Sequence, residues 1–215
     1  LTSTAGWDPF LLKYDASGNL IWAKNTSGAY NAKVFDLAVD AGGNSYITGY
    51  FDTPTIAFDA ITLTNTDPHT QDIFIVKYDP SGNVIWAKNQ GTSFSDEAFA
   101  ITVDAAGNSF ISCCTNALLD PAISTPYACN GFISKYDPSG IPLWTKVAGG
   151  TGESYVEDIT IDQSGNIITS GEFFATSTWG PYTLTNAATT GSDIFIVKYD
   201  NTGNELWATS SRSRL

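Results

Sequence analysis

The chain has 215 residues, with 22 acidic against 10 basic side chains and a formal net charge of −12. An acidic balance of this size does not favour nucleic acid or anionic lipid surfaces as partners. Aromatic residues at 13% and charged residues at 15% favour an all-β domain over a helical or disordered chain. No apolar run approaches the roughly 20 residues of a membrane-spanning helix, so membrane insertion is not expected.

The first predicted element is a β-hairpin that begins at Asp8, in the stretch DPFLLKYDASGNLIWAK. Close copies begin at Asp72, Gly131 and Asp193, and the tyrosines that they share are spaced by 64, 58 and 63 residues. In the copy from Asp72, both alternate sets of side chains in the first strand are apolar, which suits a strand covered on both faces. Self-similarity at this period predicts a repeat architecture.

A second kind of hairpin alternates with the first and begins at Val34, Ala98 and Val156. In the copy from Ala98, one face of the first strand carries small side chains, which suits the crowded innermost strand of a wedge-shaped sheet near an axis. Two hairpins in about 60 residues make four antiparallel strands, the composition of one propeller blade. In the first full copy we expect strands near 34–40, 44–51, 72–79 and 83–89.

Both kinds of hairpin turn at the frame D-x-x-G, which occurs seven times and is followed by Asn in six of them. The seven pairs are Asp15 and Gly18, Asp40 and Gly43, Asp79 and Gly82, Asp104 and Gly107, Asp137 and Gly140, Asp162 and Gly165, and Asp200 and Gly203. These are the residue preferences of a type I turn that continues into a left-handed glycine. We expect each Asp to cap its own turn by accepting backbone N–H bonds. Calcium binding is the less favoured alternative, because the ligand pattern of an EF-hand loop is absent.

The alternation of DIFIVKYDPSGNVIWAK with AFAITVDAAGNSFIS resembles the seven-bladed β-propeller repeat family, SBBP, which is common in secreted and surface proteins of bacteria. The resemblance extends from about Trp7 to Ala208 and includes the segment TIAFDAITLTN between the hairpins. It implies a β-propeller and an extracytoplasmic location, either secreted or at the cell surface. The family brings no set of catalytic residues that could be carried over to this chain.

The repeat phase predicts a single β-propeller region over residues 1–215. It consists of a half blade at 7–25 and full blades at 34–89, 98–147 and 156–208, or about three and a half blades of four antiparallel strands. A closed propeller typically needs 4–8 blades, so we expect a larger ring or closure by another chain. The chain contains no Met, which predicts a processed chain or a segment of a longer one. The expected partners are other protein chains or further blades of the same chain.

The predicted blades differ between their second and third strands. The first and third have a small extra hairpin there, with Phe58 and Trp179 at matching positions. The second has an irregular segment instead, and only around it do cysteines occur, namely Cys113, Cys114 and Cys129. Because neighbouring strand residues point to opposite faces, only one of the first two is expected to face Cys129. A disulfide and buried thiols both remain open, and a metal site is least favoured because no His or further Cys accompanies them.

Four acidic residues lie where the predicted innermost strands begin, at the mouth of a propeller's central channel. They are Asp36, Glu97, Glu157 and Asp158. Clustered carboxylates there could bind a cation or have raised pKa values, although a solvated acidic rim is the favoured alternative. The single histidine, His69, lies in a polar loop without a nucleophile or metal-ligand partner, so we predict no catalytic residue, no metal and no cofactor.

Repeated tryptophans at 22, 86, 144 and 207 are predicted to pack between neighbouring blades, with exposed sugar-stacking platforms as the alternative. Aromatic residues near the blade connections offer a second surface, which would suit glycans or a partner protein. The candidates are Phe58, Trp179, Tyr182, Tyr127 and Phe94. Packing beneath the extra hairpin explains Phe58 and Trp179 equally well.

The sequence therefore predicts a non-catalytic structural or interaction scaffold outside the cytoplasm, with a role in adhesion or protein contacts. A lectin-like glycan-binding module is the first alternative. A propeller enzyme, either a hydrolase or a quinoprotein-like oxidoreductase, is the second. Against an enzyme stands the absence of a nucleophile with a base, of a metal-ligand set and of a phosphate loop.

Overall fold

The computed structural model describes residues 7–26, 31–116, 129–186 and 191–211. Within these ranges the chain is all-β, with 18 strands and no helix, as the composition predicted. The strands form several antiparallel sheets, an architecture compatible with a β-propeller. No helix in the described ranges is long and apolar enough to cross a membrane.

The strands make one hairpin and three four-stranded repeats. The N-terminal hairpin consists of β1 (Phe10–Tyr14) and β2 (Leu20–Asn25). Repeat 1 consists of β3 (Ala32–Val39), β4 (Ser45–Phe51), β7 (Asp72–Tyr78) and β8 (Val84–Gln90). Repeat 2 consists of β9 (Asp96–Val103), β10 (Ser109–Thr115), β11 (Asn130–Tyr136) and β12 (Pro142–Val147). Repeat 3 consists of β13 (Ser154–Ile161), β14 (Ile167–Phe173), β17 (Asp193–Tyr199) and β18 (Glu205–Ser210).

The order of strands is the same in all three repeats, which follows from two hairpins laid side by side. In repeat 1 it is β3, β4, β7 and β8, and the central pair runs antiparallel from Ser45 opposite Tyr78 to Phe51 opposite Asp72. The strands of repeat 1 begin and end within two residues of the predicted bounds. The extra hairpins are also confirmed, as β5 (Thr55–Phe58) with β6 (Ile61–Thr64) and as β15 (Thr176–Trp179) with β16 (Tyr182–Thr185).

The turns have the predicted geometry and the predicted caps. In each of the seven, the fourth-position glycine has a positive φ between 77° and 90° and donates its N–H to the carbonyl of the turn's Asp. In the first turn, Asp15 Oδ1 accepts the backbone N–H of Ser17 and of Asn19, each at 2.8 Å. The Asn19 side chain donates to Oδ2, and these bonds lower the pKa of Asp15. The carboxylate is thus used within its own turn.

The chain divides into two compact units, Leu1–Ala98 and Phe99–Leu215, each with its own apolar core. In the first unit, Leu11 of β1 belongs to one buried cluster with Phe74, Val76 and Tyr78 of β7. In the second unit, Ile133 of β11 belongs to one buried cluster with residues of β17, namely Phe195, Val197 and Tyr199. Burial of each such side chain stabilises the fold by about 1.5–3 kcal/mol. The same positions therefore meet in both cores.

A polar contact accompanies the apolar one between the N-terminal hairpin and repeat 1. The indole N–H of Trp22 and the ammonium of Lys13 both donate to the carbonyl oxygen of Pro80, at 3.1 and 2.9 Å. Pro80 is the second residue of the turn that ends at Gly82. A Cβ added to Gly82 would come within 2.9 Å of the Trp22 ring, so the indole rests on this glycine.

A similar contact, without a described hydrogen bond from the indole N–H, occurs between repeats 2 and 3, inside the second unit. A Cβ added to Gly203 would come within 3.1 Å of the Trp144 ring. The ammonium of Lys135 donates to the backbone carbonyl of Asn201 at 2.9 Å and also to its side-chain oxygen. Burial lowers the pKa of Lys135, and the negative charge of Asp104 opposes that effect. We call this arrangement of Trp and Lys on the next D-x-x-G turn the turn lock. It shows that Trp22 and Trp144 pack between repeats, as predicted.

Alanine substitutions at two glycines distinguish the contribution of the turn lock to stability from the backbone strain of the turn. Gly18 and Gly82 have φ of +81° and +85°, so alanine at either position incurs a similar backbone penalty of about 1–2 kcal/mol. Only at Gly82 would the new Cβ also meet Trp22, whereas at Gly18 it would meet no described atom within 4 Å. We expect Gly82→Ala to reduce the free energy of unfolding by about 1–3 kcal/mol more than Gly18→Ala, because the ring must move.

Urea unfolding followed by tryptophan fluorescence measures both variants. The excess should disappear when both are made in a Trp22→Ala background. Equal losses for the two alanine variants in the wild-type background would show that the lock contributes nothing.

Candidate interaction surfaces

Strands β1, β7, β11 and β17 occupy the same position in the N-terminal hairpin and in the three repeats. The sequence predicts that both faces of such a strand are covered. β7 and β11 are buried at every position, in agreement with that prediction. β17 instead alternates between buried positions and exposed or half-buried ones, and β1 has a single buried position. One face of the first strand and the opposite face of the last are therefore open.

The open face of β1 consists of Phe10, Leu12 and Tyr14, and we call it the β1 face. Phe10 is 62% exposed and Tyr14 is 54% exposed. The side chains at the position of Phe10 in the repeats are at most 1% exposed, and those at the position of Tyr14 at most 5%. These buried counterparts are Phe74, Phe132, Phe195, Tyr78, Tyr136 and Tyr199. The β1 face thus has the same kind of apolar side chains as the core positions of the repeats, but they are exposed.

The open face of β17 consists of Ile194 and Ile196 together with Trp207 of the neighbouring β18, and we call it the β17 face. These side chains are 58%, 38% and 40% exposed. Their counterparts Ile73, Ile75, Ile133 and Trp86 are buried, and the other two tryptophans at the position of Trp207, Trp22 and Trp144, are half-buried. Beside this face the ammonium of Lys198 lies 2.7 Å from a carboxylate oxygen of Asp162 and lowers the pKa of that carboxyl. The β17 face is therefore apolar with one cation at its margin.

A groove of about 320 Å³ lies beside β1 in the first unit. Its lining includes Leu11, Leu12, Tyr14, Trp22, Leu37 and Val39. Leu37 of β3 is 53% exposed, whereas Ile101 and Ile159 at the same position in repeats 2 and 3 are buried. The N-terminal hairpin has no inner pair of strands among the described residues, which leaves Leu37 and the β1 face open to the same groove.

The four predicted mouth carboxylates do not occupy one equivalent position. Glu97 of β9 corresponds to Lys33 of β3, and Asp36 corresponds to Asp158 of β13. Burial raises the pKa of the half-buried Glu97, and the positive charge of Lys33 partly offsets it. Lys33 Nζ also lies 4.6 Å from the centre of the Trp7 ring. Glu97 is therefore close to a cation.

Asp36 and Asp158 each lie at a β-bulge, where the pairing register shifts. Their carboxylates accept the N–H of the following residue, Leu37 or Ile159, at 2.8 Å. Glu157 and Asp158 are exposed. No group of three or more His, Cys, Asp or Glu in the described part of the chain could hold a metal ion. A joint acidic mouth made by all four carboxylates stays a prediction.

The predicted aromatic contacts fall into two groups. Phe58 and Trp179 are each 1% exposed and end the first strands of the extra hairpins, where Phe58 packs on Phe74 and Trp179 packs on Phe195. Their prediction as surface contacts is wrong, and the packing alternative accounts for them. Tyr182 is half-buried and donates its hydroxyl to the Leu206 carbonyl at 2.8 Å. Phe94 is exposed, and Tyr127 lies outside the described residues.

Two of the three cysteines form a disulfide. Cys114 at the end of β10 is bonded to Cys129, and Cys113 is a buried thiol outside that bond. Adjacent residues of a strand point to opposite faces, which is why only one of the pair reaches Cys129. His69, by contrast, is exposed and lies in a turn, and its backbone N–H donates to Asp67 Oδ1.

Of the residues on the β1 face and the β17 face, the sequence predicted a role only for Trp207, as a packing residue between blades, and at 40% exposure it is not packed in that way. The signal was nevertheless there, because aligning the four copies of the first strand places Phe10, Tyr14, Ile194 and Ile196 at core positions of the repeat. What distinguishes them is only their place in the first and last copies. An apolar residue at a core position of the first or last repeat therefore indicates an exposed apolar surface.

Comparison with known proteins gives two weak relatives. The chain is 26% identical over 235 residues to an uncharacterized WD repeat-containing protein of Acanthamoeba polyphaga mimivirus, covering 88% of the chain and 16% of the relative. It is 27% identical over 172 residues to the regulatory protein FlaEY of Caulobacter vibrioides, covering 77% of the chain and 18% of the relative. No protein-family model matches the chain. The similarity hints at a propeller-type repeat family, and the chain spans less than a fifth of each relative's length.

The assignment of the β1 face predicts a large difference between two equivalent phenylalanines. Phe74→Ala should reduce the free energy of unfolding by about 3–5 kcal/mol, because it leaves a cavity in the first core. Phe10→Ala should change it by less than about 1 kcal/mol, as for other exposed positions. Urea unfolding at low protein concentration measures both. A loss for Phe10→Ala as large as that for Phe74→Ala would contradict the assignment.

Proposed function

We propose that the chain is a non-catalytic scaffold of β-propeller repeats that acts through contacts with other proteins outside the cytoplasm. The observation that carries this proposal is the pair of open apolar faces on β1 and β17, whose counterparts elsewhere in the chain are core. Monomeric proteins rarely leave such contiguous apolar patches open to water, and larger ones mark sites of protein contact. The proposed function is therefore the binding of other protein surfaces by the β1 face and the β17 face.

The propeller part of the proposal rests on the repeats themselves. Each repeat has four antiparallel strands in simple order, the composition of a propeller blade. The N-terminal hairpin corresponds to the outer half of a blade, which gives about three and a half blades of the SBBP kind. The relative named for WD repeats supports a repeat scaffold for protein interactions, and the resemblance to SBBP repeats supports the finer assignment.

The extracytoplasmic location is supported by the resemblance and by chemistry. Disulfides form and persist in oxidising compartments and are rare in the cytosol. The bond between Cys114 and Cys129 spans the segment of repeat 2 between β10 and β11. On the loop-entropy model a bond that closes about 15 residues stabilises the fold by roughly 3 kcal/mol. A secreted or surface protein can retain it.

The use of the polar groups supports a non-catalytic role. The turn aspartates accept hydrogen bonds from their own turns, and Lys13 and Lys135 are engaged in turn locks. The burial of Phe58 and Trp179 removes two of the aromatic residues on which the glycan-binding alternative depended.

The proposal is tested on the native protein in its source cells. With an epitope tag, it should fractionate outside the cytoplasm, with Cys114 and Cys129 resistant to alkylation until a reductant is added. Under mild extraction it should migrate as a particle larger than its own polypeptide. Migration at the mass of the polypeptide alone would contradict the scaffold, and a cytoplasmic fraction with reactive cysteines would contradict the location.

A further inference from the structure

We propose that a second copy of the chain covers the open faces, with the β17 face of one copy packed head to tail on the β1 face of the next. This inference rests on the proposed function, because it names the partner of the surfaces to which that function is assigned. The two faces are different from one another and lie on the first and last of four equivalent strands.

The chain already contains the apolar part of this contact twice. In the first unit, Leu11 of β1 packs with Phe74, Val76 and Tyr78 of β7. In the second, Ile133 of β11 packs with Phe195, Val197 and Tyr199 of β17. Ile196 occupies the position of Leu11 and Ile133, and the β1 face has the positions of the other partners. Ile196 against Phe10, Leu12 and Tyr14 would be the third example of one contact.

The two parts of a further turn lock are also present, the Trp and Lys in repeat 3 and the turn in the N-terminal hairpin. Trp207 occupies the position of Trp22 and Trp144 but is 40% exposed. The turn from Asp15 to Gly18 is the counterpart of those ending at Gly82 and Gly203, yet nothing described lies within 4 Å of a Cβ placed on Gly18. In one copy of the chain, Trp207 therefore has no D-x-x-G turn to pack on, and the turn from Asp15 to Gly18 has no described Trp packed on it.

Lys198 is positioned to complete that lock. Its counterparts Lys13 and Lys135 donate to the carbonyl of the second turn residue in the next repeat. The corresponding acceptor in a second copy is the carbonyl of Ala16. Lys198 now pairs with Asp162, as Lys135 lies near Asp104, and Lys135 keeps its turn bond there. The existing ion pair is thus compatible with the added hydrogen bond.

Charge and symmetry give the association two distinctive properties. The contact is apolar while each copy has a net charge of −12, so added salt should strengthen it by screening the repulsion between copies. The contact joins two different faces and is therefore heterologous, which produces a closed ring or an open filament rather than a two-fold dimer.

The test is sedimentation velocity of the purified full chain over a wide range of concentration and salt. Species above 23.0 kDa should appear as concentration rises. Phe10→Asp and Ile196→Asp should each weaken association by about 30-fold or more, as for loss of a central apolar contact. Ile85→Asp is the matched control, because Ile85 is 48% exposed on β8 and lies on neither face. Its assembly should equal that of the wild type.

Mixing provides the sharper experiment. Phe10→Asp keeps an intact β17 face and Ile196→Asp keeps an intact β1 face, so a mixture of the two should form a one-to-one dimer and nothing larger. Circular dichroism checks that each variant is folded, and Ile194→Asp replaces Ile196→Asp if the latter is not. A wild-type chain that stays monomeric, variants that still assemble, or a mixture without dimer would each overturn the inference.

These outcomes are separable from the test of the proposed function. A monomeric purified chain together with a large native particle would overturn self-association and leave the scaffold standing, with other proteins or further repeats as the covering. A native particle at the polypeptide mass would overturn the scaffold itself.

Discussion

The structure depends on one contact, in which a strand hairpin packs its Ile or Leu and its Trp on the next repeat. The apolar part joins Leu11 to Phe74 in one core, and Ile133 to Phe195 in the other. The turn lock adds directed hydrogen bonds from Trp22 and Lys to a turn carbonyl. Burial supplies most of the stabilisation, and the lock needs glycine at the turn because a Cβ on Gly82 would come within 2.9 Å of the Trp22 ring.

A chain built on this contact behaves as a nearly one-dimensional array. Each repeat gains stability from its neighbours, and a repeat that lacks a neighbour on one side needs a polar outer face to be soluble. Among the described residues, the N-terminal hairpin and repeat 3 have apolar open faces instead, since Phe10 and Tyr14 are exposed on one and Ile194 on the other. The surfaces to which we assign the function are thus a direct consequence of what stabilises the fold.

Local patterns predicted the strands and turns well. Alternating apolar residues and the D-x-x-G frame each act over a few residues, so the bounds of β7 and the caps at Asp15 followed from the sequence. Features that depend on which side chains meet across the fold did not follow. The burial of Trp179, the pairing of Cys114 rather than Cys113 and the position of Glu97 beside Lys33 are of this second kind.

The central claim is that four equivalent strands differ only in whether a neighbour covers them. Hydroxyl-radical footprinting of the dilute chain, read out at its tyrosines by mass spectrometry, tests this most directly. The account predicts rapid labelling of Tyr14 and strong protection of its three counterparts, Tyr78, Tyr136 and Tyr199. Labelling of Tyr78 or Tyr199 as fast as that of Tyr14 would mean that the repeats do not stack on one another, and would contradict the account.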